Sequence, residues 1–135
     1  MRRNILLPLV LVSLLYIPWA AMAGNPVKVE VLYMNHGPLQ STLEGIKKVF
    51  SQYKGKVSVS WYDFETEQGE AFMAKKGIRQ HIPLVIWMDN QVKFKVEGKD
   101  VIFAGFPTGS GPAFFQGKWT NADLQKVLDQ LTDKK

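Results

Sequence analysis

The sequence predicts an α/β protein with a mixed β-sheet of four to five strands flanked by helices. The chain has 135 residues, of which 46% are hydrophobic and 21% charged, as expected for one globular domain. Segments with period-two hydrophobicity alternate with segments of helical periodicity, in the order β-α-β-α-β-β-α. Such an order predicts a parallel crossover unit joined to an antiparallel hairpin, with helices on both faces of the sheet.

The first half of the domain accounts for two strands and two helices. Valines at alternate positions predict a strand near residues 27–34, and Val57, Val59 and Trp61 predict a second one. Between them, apolar residues from Leu39 to Tyr53 follow helical spacing. A shorter helix is predicted from about Thr66 to Lys76, where a glycine follows and ends it.

The second half predicts a hairpin and a last helix. The apolar run Leu84–Met88 is typical of an interior strand, and a turn at residues 89–91 leads into the alternating residues 92–96. Residues 101–106 return as a further strand. After a long loop, Thr120 precedes Asp123 by three residues, as in a capping box that starts a helix.

The N-terminus predicts an export signal over residues 1–23. Two arginines follow the first methionine, the apolar run Ile5–Trp19 comes next, and Ala21-Met22-Ala23 has the small-x-small form of a cleavage site. An uncleaved anchor is disfavoured, because the apolar run is shorter than the roughly 20 residues of a spanning helix. We therefore expect a single domain over residues 24–135 in the periplasm or outside the cell, without stable membrane insertion.

Composition excludes several classes of function. The chain contains no cysteine, which removes thiol nucleophiles, disulfides and thiolate metal sites. The net charge of +5 includes the two arginines of the signal segment. Lys75, Lys76 and Arg79 form the densest basic cluster, but they lie at a predicted helix end, where cations complement the helix dipole. A solvated surface is favoured there, and nucleic acid is not expected as a partner.

Two motifs carry a resemblance to thioredoxin. The segment Asn35-His36-Gly37-Pro38-Leu39 resembles the x-Cys-Gly-Pro-Cys segment, with His36 and Leu39 in the two cysteine positions. The stretch from Gly77 to Pro83 is similar to Gly-Ile-Arg-x-Ile-Pro, with one additional residue. The resemblance covers residues 27–106 and the last helix. It implies a cysteine-less member of the thioredoxin-like superfamily with a thioredoxin-like fold, in which thiol-disulfide exchange is impossible.

The resemblance also implies details at two further positions. Pro83 matches a proline that follows a cis peptide bond in thioredoxin and opens the hairpin. Glu30 falls where thioredoxin carries a buried acid that serves its resolving cysteine, although a surface charge in a different register is equally compatible with the sequence. The long loop Pro107–Lys118, rich in glycine, proline and aromatic residues, has no counterpart in the minimal thioredoxin plan.

His36 and His81 are the two histidines of the chain. A helix N-terminus disfavours an imidazolium, so His36 should be neutral, and it could bind a metal, act as a general base or cap the helix. His81 could approach it if the proline loop lies beside the first helix. A metal such as copper or zinc normally needs three or four ligands. A structural or recognition role is therefore favoured over a metal site or acid-base catalysis, and no cofactor is expected.

These observations leave two hypotheses. The first is an exported, redox-inactive module that binds a protein or an extended peptide in the cell envelope, in a groove that resembles that of thioredoxin. The second is a metal-binding or non-thiol enzymatic derivative that uses His36 and His81. The aromatic residues of the long loop could also simply cover one end of the sheet, and the sequence does not predict the oligomeric state. The predicted binding residues are His36, Gly37, Pro38, Leu39, Ile82, Pro83, Phe106, Phe114, Phe115 and Trp119.

Overall fold

The computed structural model describes residues 24–133, so the predicted signal segment lies outside the described residues. The predicted alternation of strands and helices is confirmed, while the further strand predicted at residues 101–106 lies earlier, at Lys99–Ile102. The strands are β1 (Val27–Tyr33), β2 (Val57–Asp63), β3 (Leu84–Met88), β4 (Lys93–Val96) and β5 (Lys99–Ile102), and the helices are α1 (Gln40–Ser51), α2 (Glu67–Lys76) and α3 (Asn121–Thr132). Short 3₁₀ turns lie at Gly37–Leu39 and Ala113–Phe115.

The strands form two sheets, so the predicted single sheet of four to five strands is wrong in its strand count. A mixed sheet has the order β2-β1-β3, in which β1 pairs parallel with β2 and antiparallel with β3. The separate two-stranded sheet pairs β4 with β5. A mixed α/β architecture is therefore confirmed at the level of its elements.

The predicted hairpin between residues 84–88 and 92–96 is replaced by a different pairing. A tight turn with positive φ at Asp89 and Asn90 leads out of β3, and only the pair Met88 and Gln91 bridges across it. β4 then turns back at Gly98 to pair with β5. Residues 103–105 take the position beside β3, where the Ile86 amide donates to the Phe103 carbonyl at 2.9 Å.

The helices lie on both faces of the three-stranded sheet. Trp61 of β2 packs edge-on against Phe50 of α1, whereas the next residue, Tyr62, stacks on Phe72 of α2 at 3.9 Å between ring centroids. Successive side chains of a strand point to opposite faces, so α1 and α2 cover opposite faces. The Tyr53 hydroxyl, just beyond α1, donates to Asp129 of α3 at 2.6 Å, which places α3 beside α1.

The helix ends follow their predicted signals. The Thr66 hydroxyl accepts a hydrogen bond from the Gly69 amide, and Gly77 ends α2 in the left-handed conformation with a φ of 70°. Thr120 and Asp123 form the complete capping box that the sequence predicts for α3. Within residues 24–133, no helix is long and apolar enough to cross a membrane.

The predicted cis peptide bond before Pro83 is wrong, because every peptide bond in the described residues is trans. The Pro83 carbonyl accepts a hydrogen bond from the Met34 amide at 2.9 Å. This bond extends the antiparallel pairing of β1 with β3 by one residue, since Tyr33 is paired with Leu84. Pro83 therefore belongs to the start of the β3 ladder and is buried.

Candidate functional site

The loop from β1 to α1 presents His36, Gly37 and Pro38 at the surface. β1 ends at Tyr33, and the 3₁₀ turn that follows begins with Gly37 and Pro38. Proline is favoured in the first turn of a helix, because the amide groups there have no hydrogen-bond partner within the helix and proline has no amide hydrogen. The Leu39 side chain turns inward and is buried. The loop thus exposes the side chains of His36 and Pro38, and the apolar side chain of Leu39 lies beneath them.

The aromatic loop, residues 107–118, is closed by hydrogen bonds at its base. The Phe106 amide donates to the Phe115 carbonyl at 2.8 Å, and the Gly117 amide donates back to the Phe106 carbonyl at 2.7 Å. Inside the loop, the Gln116 side chain accepts from the Gly109 amide and donates to the Gly111 carbonyl, each at 2.9 Å. These bonds fix the path of the backbone that carries the aromatic side chains of the loop.

Two glycines allow the aromatic loop to approach its neighbours closely. A Cβ at Gly117 would lie 2.0 Å from the Ala104 carbonyl oxygen, so a side chain cannot fit there. Gly111 has a φ of 68°, and a Cβ there would lie 3.1 Å from a methyl group of Leu39. The loop therefore lies directly against the start of α1.

An apolar pocket of about 220 Å³ lies between the β1–α1 loop and the aromatic loop. It is lined by Met34, His36, Pro38, Leu39, Pro112 and Phe115. Next to it, the Phe114 side chain is 80% exposed, and its ring centroid lies 4.2 Å from that of Phe115. A pocket with an exposed aromatic ring beside it can accept an apolar side chain from another molecule.

The structure brings together four of the ten predicted binding residues in this pocket, namely His36, Pro38, Leu39 and Phe115. Gly37 lies in the same turn, and Phe114 lies beside the pocket. Ile82 and Pro83 are not among its lining residues.

Phe106 and Trp119 are fully buried in the hydrophobic core instead, where Trp119 packs edge-on against Phe103 and its indole N–H donates to the Gly105 carbonyl. These two residues hold the base of the loop. Phe114 and Phe115 are the aromatic residues of the predicted set that are accessible at the surface.

Sequence reasoning missed Met34 and Pro112, which complete the lining. Met34 falls outside the period-two series Val27, Val29, Val31 and Tyr33, so that series carries no signal for it. Pro112 lies within the loop that the sequence singled out. Its place beside Leu39 depends on the path of the loop, for which the sequence carries no local signal.

The two histidines lie in different surroundings. Nε2 of His36 lies 3.0 Å from a carboxylate oxygen of Glu65, and His36 makes no capping hydrogen bond with its side chain. His81 stacks on Phe64 at 4.9 Å between ring centroids. Among residues 24–133, no group of three or more histidine and acidic side chains is arranged to hold a metal ion. The metal hypothesis gains no support from this arrangement.

His81 lines a second, more polar cavity of about 440 Å³ at the C-terminal end of α2. Its other lining residues are Phe64, Glu70, Met73, Ala74, Gly77, Ile78 and Arg79. The sequence predicts that Arg79 lies at the solvated end of a helix, and it does not indicate a cavity there. The two histidines thus line separate cavities.

Glu30 is buried, as the resemblance implies for this position. Its carboxylate lies 2.6 Å from Nζ of Lys76 and 2.8 Å from Nζ of Lys28. Burial raises the pKa of Glu30, but the hydrogen bonds and charges of the two lysines outweigh it and hold the pKa below its ordinary value. Both carboxylate oxygens have a lysine partner, and the ion pair of Glu30 with Lys76 joins β1 to α2 as part of the scaffold.

No model of a known protein family matches the chain, and no curated protein matches its sequence. The resemblance to thioredoxin accordingly depends on the two motifs and on the order of the elements.

Proposed function

We propose that the protein is an exported, redox-inactive, thioredoxin-like module that binds a protein partner in the cell envelope. The apolar pocket accepts an apolar side chain of that partner, and Phe114 adds contact area beside it. The export rests on the predicted signal segment, and the absence of thiol chemistry rests on the absence of cysteine.

The observation that carries the proposal is the combination of a preformed apolar pocket with an exposed phenylalanine. Monomeric proteins leave few large aromatic side chains exposed beside an apolar cavity, and such places are typical of binding sites. The loop that supplies Phe114 and Phe115 is held by its own hydrogen bonds. A partner therefore binds without first paying the entropy of ordering that loop.

The order of the elements supports a thioredoxin-like fold. β1 lies between its parallel neighbour β2 and its antiparallel neighbour β3, and helices cover both faces. The His-Gly-Pro-Leu turn lies at the start of α1, where the thioredoxin motif lies. The Pro83 carbonyl, however, already accepts a hydrogen bond from the Met34 amide within the sheet, so a partner strand does not pair with this carbonyl.

Selection from a random peptide library tests the proposal. The immobilised wild-type protein should enrich peptides that share a large apolar side chain, and Phe115→Ala should bind these peptides at least about tenfold more weakly, as expected for an anchoring contact. Ile102→Ala is the matched control, because Ile102 is 52% exposed but does not line the pocket.

The outcomes distinguish binding at the pocket from nonspecific hydrophobic binding to the protein surface. Phe114→Ala should also weaken binding, and because Phe114 is exposed this substitution removes few buried contacts from the fold. Equal losses in Phe115→Ala and Ile102→Ala, or enrichment of peptides without an apolar residue, would contradict the proposal. Circular dichroism of each variant verifies that it remains folded.

A further inference from the structure

β2 forms an open edge of the three-stranded sheet. Among residues 24–133, β1 is the one strand that pairs with it along its length of seven residues, and Lys54 bridges its first residue, Val57. Natural edge strands are commonly protected by lysine, proline or a bulge, because unpaired backbone groups invite pairing with another chain. The stretch Val57–Tyr62 contains no proline and no charged residue, and its side chains are only partly buried or exposed.

The backbone groups that face outward can be read from the ladder with β1. The Val27 amide donates to the Lys56 carbonyl, and the Phe64 amide donates to the Tyr33 carbonyl. In a parallel ladder alternate residues bond to the same neighbour, so the even-numbered residues of β2 face β1. The odd-numbered residues, Val57 to Asp63, direct their N–H and C=O groups away from the sheet.

The two ends of this outward row are already in use. The Val57 amide donates to the Tyr53 carbonyl, and the Asp63 carbonyl accepts from the Thr66 amide. Between them, within residues 24–133, no backbone hydrogen bond joins the outward groups of Val59 or Trp61 to another element. These two residues lie symmetrically on either side of Ser60.

We propose that β2 pairs antiparallel with β2 of a second copy of this chain, with the two-fold axis at Ser60. In that register Val59 of each copy faces Trp61 of the other, and each pair exchanges both of its backbone hydrogen bonds. Ser60 faces Ser60 as a pair without hydrogen bonds. The register uses the two residues that have both outward groups free and joins the two sheets into one of six strands.

The side chains are compatible with the same register. Val59 and Trp61 meet on the α1 face as a β-branched and an aromatic cross-strand pair, a favourable combination. On the α2 face Ser58 meets Tyr62. At the ends of the strand, Asp63 comes towards the Val57 end of the other copy, where Lys54 already forms a parallel bridge with Val57, so no like charges are opposed. A second copy fits this edge because the edge is complementary to itself.

A cysteine placed on the proposed axis tests the register, since the chain has no cysteine of its own. Ser60→Cys places the two sulfur atoms at a distance that a disulfide can bridge. Ser58→Cys is the matched control, because the two copies of residue 58 would lie roughly 13 Å apart along the strands. On mild oxidation Ser60→Cys should form a linked dimer at least about tenfold faster than Ser58→Cys.

Light scattering of the wild-type protein, expressed from its full sequence, gives an independent measurement. The mass should rise from that of one chain to that of two as the concentration increases from micromolar to millimolar. A mass of one chain at every concentration would overturn the proposal, and so would equal rates of linkage in the two cysteine variants. Protection of the Val59 and Trp61 amides only after addition of a library-selected peptide would assign the edge to a peptide instead.

Discussion

At the residue scale, Glu30 shows how a charge can be kept inside this fold. Its side chain lies on the α2 face of β1, and the residue is 2% exposed. Lys76 approaches it from the last turn of α2, with its ammonium group about 5 Å from the rings of Phe72 and Trp87. The ammonium group is thus held by a carboxylate and by two aromatic faces, which fixes the end of α2 on the sheet.

We predict that Glu30→Gln lowers the free energy of unfolding by about 2 kcal/mol at neutral pH, because Lys76 loses a charged partner in a largely buried place. The pKa of Glu30 in the folded protein lies below the ordinary value of 4.5. The ionised carboxylate therefore stabilises the fold above about pH 4.5, and this stabilisation is lost as the pH falls through the folded-state pKa.

Urea unfolding at several pH values measures this effect. The difference between wild type and Glu30→Gln should shrink as the medium is acidified. Asp100→Asn, which breaks the exposed pair of Asp100 with Lys93, is the control and should have a much smaller effect at neutral pH. A difference between wild type and Glu30→Gln that is constant from neutral to acidic pH would contradict the assignment.

At the element scale, the aromatic loop is built on close backbone contacts. Gly105, with a φ of 76°, and Gly117 meet at its base, where the Gly105 carbonyl also accepts the Trp119 indole N–H. The loop is therefore part of the folded scaffold, and its position beside Leu39 forms one wall of the apolar pocket. Disturbing the base should open the pocket.

We predict that Gly117→Ala lowers the free energy of unfolding by about 2 kcal/mol, because the added methyl group collides with the Ala104 carbonyl. Gly37→Ala is the matched control: nothing lies within 4 Å of a Cβ there, and its φ is not positive. Thermal unfolding of the two variants checks the prediction. Equal unfolding temperatures for Gly117→Ala and the wild type would show that the loop is not held at this point.

At the scale of the whole molecule, the aromatic residues near the pocket divide into a scaffold and a surface. Phe106 and Trp119 are buried in the core, while Phe114 is exposed. The proposed function assigns stability to the first pair and binding to Phe114 and Phe115. A substitution at the exposed position should therefore change binding and leave stability unchanged, whereas a substitution in the buried pair should lower stability.

We predict that Phe106→Ala costs about 4 kcal/mol of unfolding free energy, as is usual when a core phenylalanine is truncated. Phe114→Ala should change stability by less than about 0.5 kcal/mol, since it removes few buried contacts, and should weaken peptide binding. Denaturant unfolding and a binding titration on the same samples provide both values. A large loss of stability in Phe114→Ala would show that this ring belongs to the scaffold.

Most of the element order could be predicted from local signals. The alternating valines of β1, the capping box of α3 and Gly77 after α2 each act within a few residues of their place in the chain. The pairing of residues 103–105 with β3 could not be predicted, because residues 92–96 and residues 101–106 both have the pattern of a strand and either could lie beside β3.

The candidate site was predicted in part for the same reason. His36, Pro38 and Leu39 follow one another in the chain, so their common position was expected. Which aromatic residues are buried and which line the pocket depends on the path of the loop. The sequence contains no local signal that distinguishes Phe106, which is buried, from Phe115, which lines the pocket. The position of Lys76 at a helix end led to the prediction that its side chain is solvated. The side chain is instead largely buried beside Glu30, through a contact between segments that are distant in the sequence.

Chemical-shift mapping by NMR of a library-selected peptide tests the central claim most directly. Addition of the peptide should shift the signals of Met34, Leu39 and Phe115 together with Phe114, and the shifts should be lost in Phe115→Ala but kept in Ile102→Ala. Shifts confined to the larger polar cavity beside His81 or to the edge of β2, with none around the apolar pocket, would contradict the assignment of this pocket as the binding site.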